Sequence, residues 1–110
     1  MIGSGTLTKQ IAGSLARTGF DALDDDALRA TKEHILYTLG TILAGSSAPG
    51  IKQALAGAIA LSGGSNESSV LVTGEKLPAA SAALVNATMG HSRELDINDD
   101  RIAYKSSITV

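Results

Sequence analysis

Cysteine is absent from the 110-residue chain, which excludes disulfides and thiolate metal sites and leaves the redox compartment open. Tryptophan is absent too, and aromatics make up 3% of the residues: Phe20, Tyr37 and Tyr104. Any core must therefore be aliphatic and alanine-rich, and it must pack closely to be worth much, because alanine buries little area. There is no basic excess. Nine Lys and Arg stand against eleven Asp and Glu, a net charge of −2, with no aromatic–basic interleaving, which argues against a nucleic-acid partner. No run approaches the roughly 18 to 20 apolar residues of a membrane span. The opening MIGSGTLTKQIAGSLART lacks the apolar stretch of a secretory signal. The expected setting is the cytoplasm, with an organelle left open. The sequons at Asn66 and Asn86 carry no weight without a secretory signal.

What is present is helical patterning. The length suits a single domain over 1–110, with a small core. Leu7, Ile11 and Leu15 fall at i, i+4 and i+8 and predict a helix over 6–17, stopped by Thr18 and a left-handed Gly19. Residues 24–44 carry the strongest pattern. Asp24, Asp25 and Asp26 supply a cap and negative charge at the N-terminal dipole. Leu28, Ile35, Leu36, Leu39, Ile42 and Leu43 trace an apolar face. Gly40 inside this helix costs about 1 kcal/mol relative to alanine, a cost that close approach of a neighbouring helix would offset. Pro49 opens a third helix to Leu61, with Ile51, Leu55 and Ile59 on one face. Gly63 to Ser68 is a loop. Val70-Leu71-Val72 is β-prone but has no evident partner, and it reads as an extended connector. Pro78 starts a fourth helix that runs to about Glu94 and packs through Leu84, Val85 and Met89. The fold class is all-α, a compact bundle of about four helices joined by short loops.

Titratable residues concentrate after Ala82. His91 and Glu94 stand three apart and so are neighbours on a helix face, a spacing that two metal ligands could use. Two ligands do not close a metal site, and Asp96 joins them only if the helix breaks suitably. Asp96-Ile97-Asn98-Asp99-Asp100 begins like a calcium loop but then fails. Arg101 stands where glycine is required and Ser107 where a glutamate belongs. A solvated acidic turn with Asx hydrogen bonds fits these residue types better. Gly74-Glu75-Lys76 lacks the further residues of a phosphate loop. Gly3-Ser4-Gly5 reads as a mobile terminus, and His34 as a packing or surface residue. Asn86, near the apolar face of the fourth helix, needs partners if buried, and the backbone of the acidic turn could supply them.

Three stretches carry a resemblance to the MmgE/PrpD family. Leu36 to Gly45 is similar to the family's LLDTLGCALAG helix. Gly74-Glu75-Lys76-Leu77-Pro78 followed by Ala82 to Asn86 is the second, and Gly90 to Asp96, similar to HAxDFDD, is the third. The family includes 2-methylcitrate dehydratase and cis-aconitate decarboxylase, with iminodisuccinate epimerase a relative. The resemblance implies a helical N-terminal domain packed against a second α/β domain. It also implies a homodimer and cofactor-free acid–base chemistry on small di- or tricarboxylic acids. It places Glu94 on the first acid of the family motif and Asp96 on the next. With one residue inserted, Lys105-Ser106-Ser107 falls on the family's His-Pro-Ser, so Lys105, or the neighbouring Tyr104, replaces the histidine. Asn86 and His91 would support the turn. Further catalytic groups of the family, a lysine and a tyrosine, lie far downstream, so the 110-residue chain is expected to be an inactive N-terminal part on its own. A helical interaction module, self-associating or bound to a complementary chain, is the reading of another class. A small metal- or calcium-binding protein is a third.

Overall fold

The computed structural model describes residues 6–95, together with the backbone of Asn98–Asp99 and Tyr104–Lys105. The calls on Gly3 to Gly5, Asp96, Asp100, Arg101 and Ser106 to Val110 lie outside the described residues. The elements run α1 (Leu7–Arg17), a 3-10 turn (Phe20–Ala22), α2 (Asp25–Gly45), α3 (Ile51–Leu61), β1 (Ser68–Ser69), β2 (Lys76–Leu77), α4 (Ala79–His91), β3 (Asn98–Asp99) and β4 (Tyr104–Lys105). The fold is all-α with two short antiparallel ladders. Among the described residues, no helix is long and apolar enough to cross a membrane. The chain divides into two compact units, 1–32 and 33–110.

In the first unit, α1 buries no residue, and Leu7 and Leu15 are 71% and 72% exposed. Its stop is not a left-handed glycine. Gly19 is extended at φ −84°, and the Thr18 hydroxyl closes the helix by donating to the Ser14 carbonyl at 2.9 Å. Asp24 caps α2, accepting from the Ala27 N–H at 2.7 Å, a device worth about 1 kcal/mol.

The second unit holds the core. Ile42, Ala48, Ile51, Ala58, Val70, Leu77, Ala82, Val85 and Met89 are buried together, with Leu55 and Leu71 against them. α4 packs on α3 and on the β1–β2 hairpin. The expected leucine face of α2 is not the one it buries. Thr38, Thr41, Ile42 and Gly45 are buried, whereas Leu36 and Leu43 remain 73% and 62% exposed. A threonine serves in the core because its hydroxyl finds a helix carbonyl, here Thr41 donating to Thr38 at 2.8 Å. In α3, Ile51 and Ala58 are buried while Ile59 is exposed, and in α4 Leu84 is exposed while Val85 and Met89 are buried.

Two expectations about glycine and the connector also change. Among the described residues, a Cβ on Gly40 would meet nothing within 4 Å, so no described helix approaches there; on Gly45 it would lie 1.9 Å from the Met89 carbonyl oxygen. Gly45 is thus the residue that lets the end of α2 reach α4. α3 begins two residues after Pro49, with Gly50 at φ +90° as its N-cap. The segment read as a lone connector is the tip of a hairpin. β1 pairs with β2 in the register Ser68↔Leu77 and Ser69↔Lys76, and the Val70 N–H donates to the Glu75 carbonyl at 2.8 Å. Val72 turns the chain at φ +70°.

Candidate functional site

The site grows out of the way α4 ends. The helix stops at His91, earlier than the sequence predicts, and Ser92 caps it. The Ser92 N–H reaches the Thr88 and Met89 carbonyls, and its hydroxyl donates to Met89 at 2.8 Å with the Gly45 carbonyl at 3.2 Å. Two residues later Glu94 adopts φ +53°, a left-handed conformation, and its N–H donates to the His91 carbonyl at 2.9 Å. This turn folds the Glu94 side chain back over the helix end. Its Oε1 lies 3.1 Å from His91 Nε2. His91 and Glu94 therefore meet, but through a left-handed turn rather than along a helix face.

The turn is tied to the chain that follows and includes α2. Ser92 contacts the Gly45 carbonyl, Arg93 Nη2 lies 3.4 Å from Ser47 Oγ, and the Tyr37 hydroxyl donates to the Leu95 carbonyl at 2.8 Å. Beside the pair lies an open cavity of about 520 Å³ lined by Pro49, Gly50, Ile51, Ala87, Thr88, His91 and Ser92. Its size is that of a small-molecule site. One wall is the N-terminal turn of α3, whose first backbone N–H groups have no partner within the helix. The other is the last turn of α4. Apolar surface from Ile51 and Ala87 thus meets an imidazole and two hydroxyls.

Asn86 stands apart from this arrangement. Five residues before His91, it projects about 140° away around α4. Its partners among the described residues belong to the hairpin. Its Oδ1 accepts from the Leu71 N–H at 2.8 Å and its Nδ2 donates to the Ser69 carbonyl at 3.1 Å. The amide fastens the hairpin to α4. Asp96 lies outside the described residues. Tyr104 and Lys105 form β4, whose backbone pairs with β3 in the register Asn98↔Lys105 and Asp99↔Tyr104. Asn98 and Asp99, expected in an acidic turn, are thus in a strand. Among the described residues no group of three His, Asp or Glu side chains is placed to hold a metal ion. Tyr37, Gly45 and Ser92, which support the turn, were not singled out in the sequence. Their partners lie 58 residues away for Tyr37 and 47 for Ser92, and no local spacing reveals them.

Near the hairpin, Glu75 is the group whose acidity is visibly tuned. The Thr73 hydroxyl, then its own backbone N–H, hold its carboxyl below the usual glutamate range against a smaller opposing effect of desolvation. Its Oε2 is shielded from solvent and has no hydrogen-bond partner among the described residues.

The fold and this turn define a small helical domain that presents an imidazole–carboxylate pair beside a cavity. Residues 9–100 match the MmgE/PrpD N-terminal domain, and the chain belongs to that family. No curated protein and no solved structure matches it.

Proposed function

We propose that this chain is the N-terminal helical part of a cofactor-independent lyase or isomerase, a dehydratase, decarboxylase or epimerase, acting on small di- or tricarboxylic acids. The observation that carries this reading is the His91–Glu94 pair, 3.1 Å apart at the edge of the 520 Å³ cavity. An imidazole beside a carboxylate supplies the groups that proton transfer next to a carboxylate requires. The N-terminal turn of α3 across the cavity presents a positive dipole end to an anion. In this reading Glu94 and Asp96 exchange or orient protons, Lys105 anchors a substrate carboxylate with Tyr104 beside it, and His91 supports Glu94. Asn86 contributes indirectly, by holding the hairpin on α4. No cofactor is invoked. The chain by itself holds part of a site, and part of a site does not preorganise a transition state.

The test is an amide NMR titration of the chain with citrate and with succinate, using acetamide as the neutral control. Shifts confined to Gly50, Ile51, His91, Ser92 and Glu94, and weakened in Lys105→Ala, are expected. Equal shifts with acetamide, or none with either acid, would remove the basis for this assignment. Turnover of such an acid by the 110-residue chain alone would also contradict it.

A second reading is favoured by one observation: the leucine stripe of α2 is uncovered, with Leu36 73% and Leu43 62% exposed. In that reading the domain is a self-associating interaction module.

A further inference from the structure

We infer that Tyr37 is a positioning residue for Glu94, an assignment that rests on the reading of Glu94 as an acting group. Glu94 is held where a side chain other than glycine is disfavoured. At φ +53° a residue with a Cβ is strained, and such a conformation persists where the surroundings over-determine it. Three ties to α2 and the residues after it are among the surroundings here. Ser92 on Gly45 and Arg93 on Ser47 both precede Glu94 in the chain. The Tyr37 hydroxyl donates to the Leu95 carbonyl at 2.8 Å, on the other side of Glu94. A turn pinned on both sides cannot unwind. Pinned on one side, it relaxes to negative φ, and the carboxylate swings off His91 Nε2.

Tyr37 is suited to the task because its own backbone is fixed. The next residue, Thr38, is fully buried, and Thr41 one turn on is 4% exposed. The phenol reaches over from this anchored helix as a rigid strut. Tyr37, Gly40, Thr41 and Leu95 line an open groove of about 270 Å³, and among the described residues a Cβ on Gly40 would meet nothing within 4 Å. Tyr37 touches no part of the larger cavity, so any effect it has on chemistry passes through the turn.

The experiment compares the wild-type chain, Tyr37→Phe, and a chain carrying 3-fluorotyrosine at position 37. Two NMR signals are read at the turn: the backbone coupling that reports the left-handed φ of Glu94, and the contact between the His91 ring and the Glu94 side chain. The amide signals of Val85 and Met89 report the core. Loss of both turn signals in Tyr37→Phe is expected, with the core signals unchanged and with both turn signals kept in the fluorotyrosine chain, which retains the hydroxyl. Retention of the left-handed Glu94 in Tyr37→Phe would overturn the assignment. So would loss of the core signals along with the turn, since that marks a general structural role. Citrate binding to the wild-type chain is then measured. Absence of citrate binding in the wild-type chain counts against the acid-binding function, whereas the geometry of the turn is decided without it.

Discussion

Two glycines five residues apart on α2 have opposite physical roles. A Cβ at Gly45 would stand 1.9 Å from the Met89 carbonyl oxygen and 2.5 Å from Ser92 Oγ. The first is backbone and cannot step aside. Gly45→Ala is therefore expected to destabilise the fold by about 3 kcal/mol, the upper range for overpacking, and to loosen the turn that carries Glu94. Gly40 has open space on the same helix, so Gly40→Ala is expected to stabilise by about 1 kcal/mol through helix propensity. Urea unfolding of both variants checks the opposite signs, and equal effects would show that the α2–α4 approach is misplaced. Glu75 gives a pH prediction. Its carboxyl titrates below the ordinary glutamate range because Thr73 and the backbone favour the charged form. Its contribution to stability is complete above the unfolded pKa and is lost as pH falls through the lowered folded value. Stability curves of wild type and Glu75→Gln should thus converge on acidification, and curves that stay parallel would dismiss the Glu75 effect.

At the scale of elements, the hairpin is held by buried Val70 and Leu77 and by one polar side chain. The Asn86 amide satisfies the Leu71 N–H and the Ser69 carbonyl and so ties the hairpin tip to α4. Asn86→Ala leaves a part-buried N–H unpaired, a loss of about 2 kcal/mol. Hydrogen exchange at Leu71 should accelerate more than exchange at Val85, which sits in the core of α4. Uniform acceleration would mean that the hairpin and α4 open together. This element also shows what the sequence could tell. Local chemistry announced the helices: Asp24 is a cap, Pro78 precedes α4, and the three family-like stretches lie where the domain match falls. His91 and Glu94 were legible as a pair from their spacing, though not the left-handed turn that joins them. The buried face of α2 was not legible. Leucines outweigh threonines in any hydropathy pattern, and the choice of face is made by what lies opposite. The same holds for Asn86, whose partners lie 15 and 17 residues away across the hairpin.

At the scale of the molecule, the balance between buried and exposed apolar residues decides how the domain behaves in solution. The core of the second unit contains three alanines among nine residues, and small aliphatic cores contribute little apolar area each. Meanwhile Leu36 and Leu43, at i and i+7 on α2, lie on one exposed face with the partly exposed Leu39. From Ile35 to Gly45 the helix carries no charged residue, so a second copy laid along it meets no repulsion. Contiguous apolar surface of this kind favours association. Light scattering on the 11.1 kDa chain should therefore give a mass that rises with concentration. The double substitution Leu36→Gln, Leu43→Gln should return it to the monomer value without loss of helicity, because both side chains are exposed and glutamine is a good helix former. A wild-type chain that stays monomeric at every concentration would reject self-association, and the stripe would then be a face for a different polypeptide. Such a partner binds the folded state alone and so raises the melting temperature by mass action, whereas the double variant would melt at the same temperature with or without it.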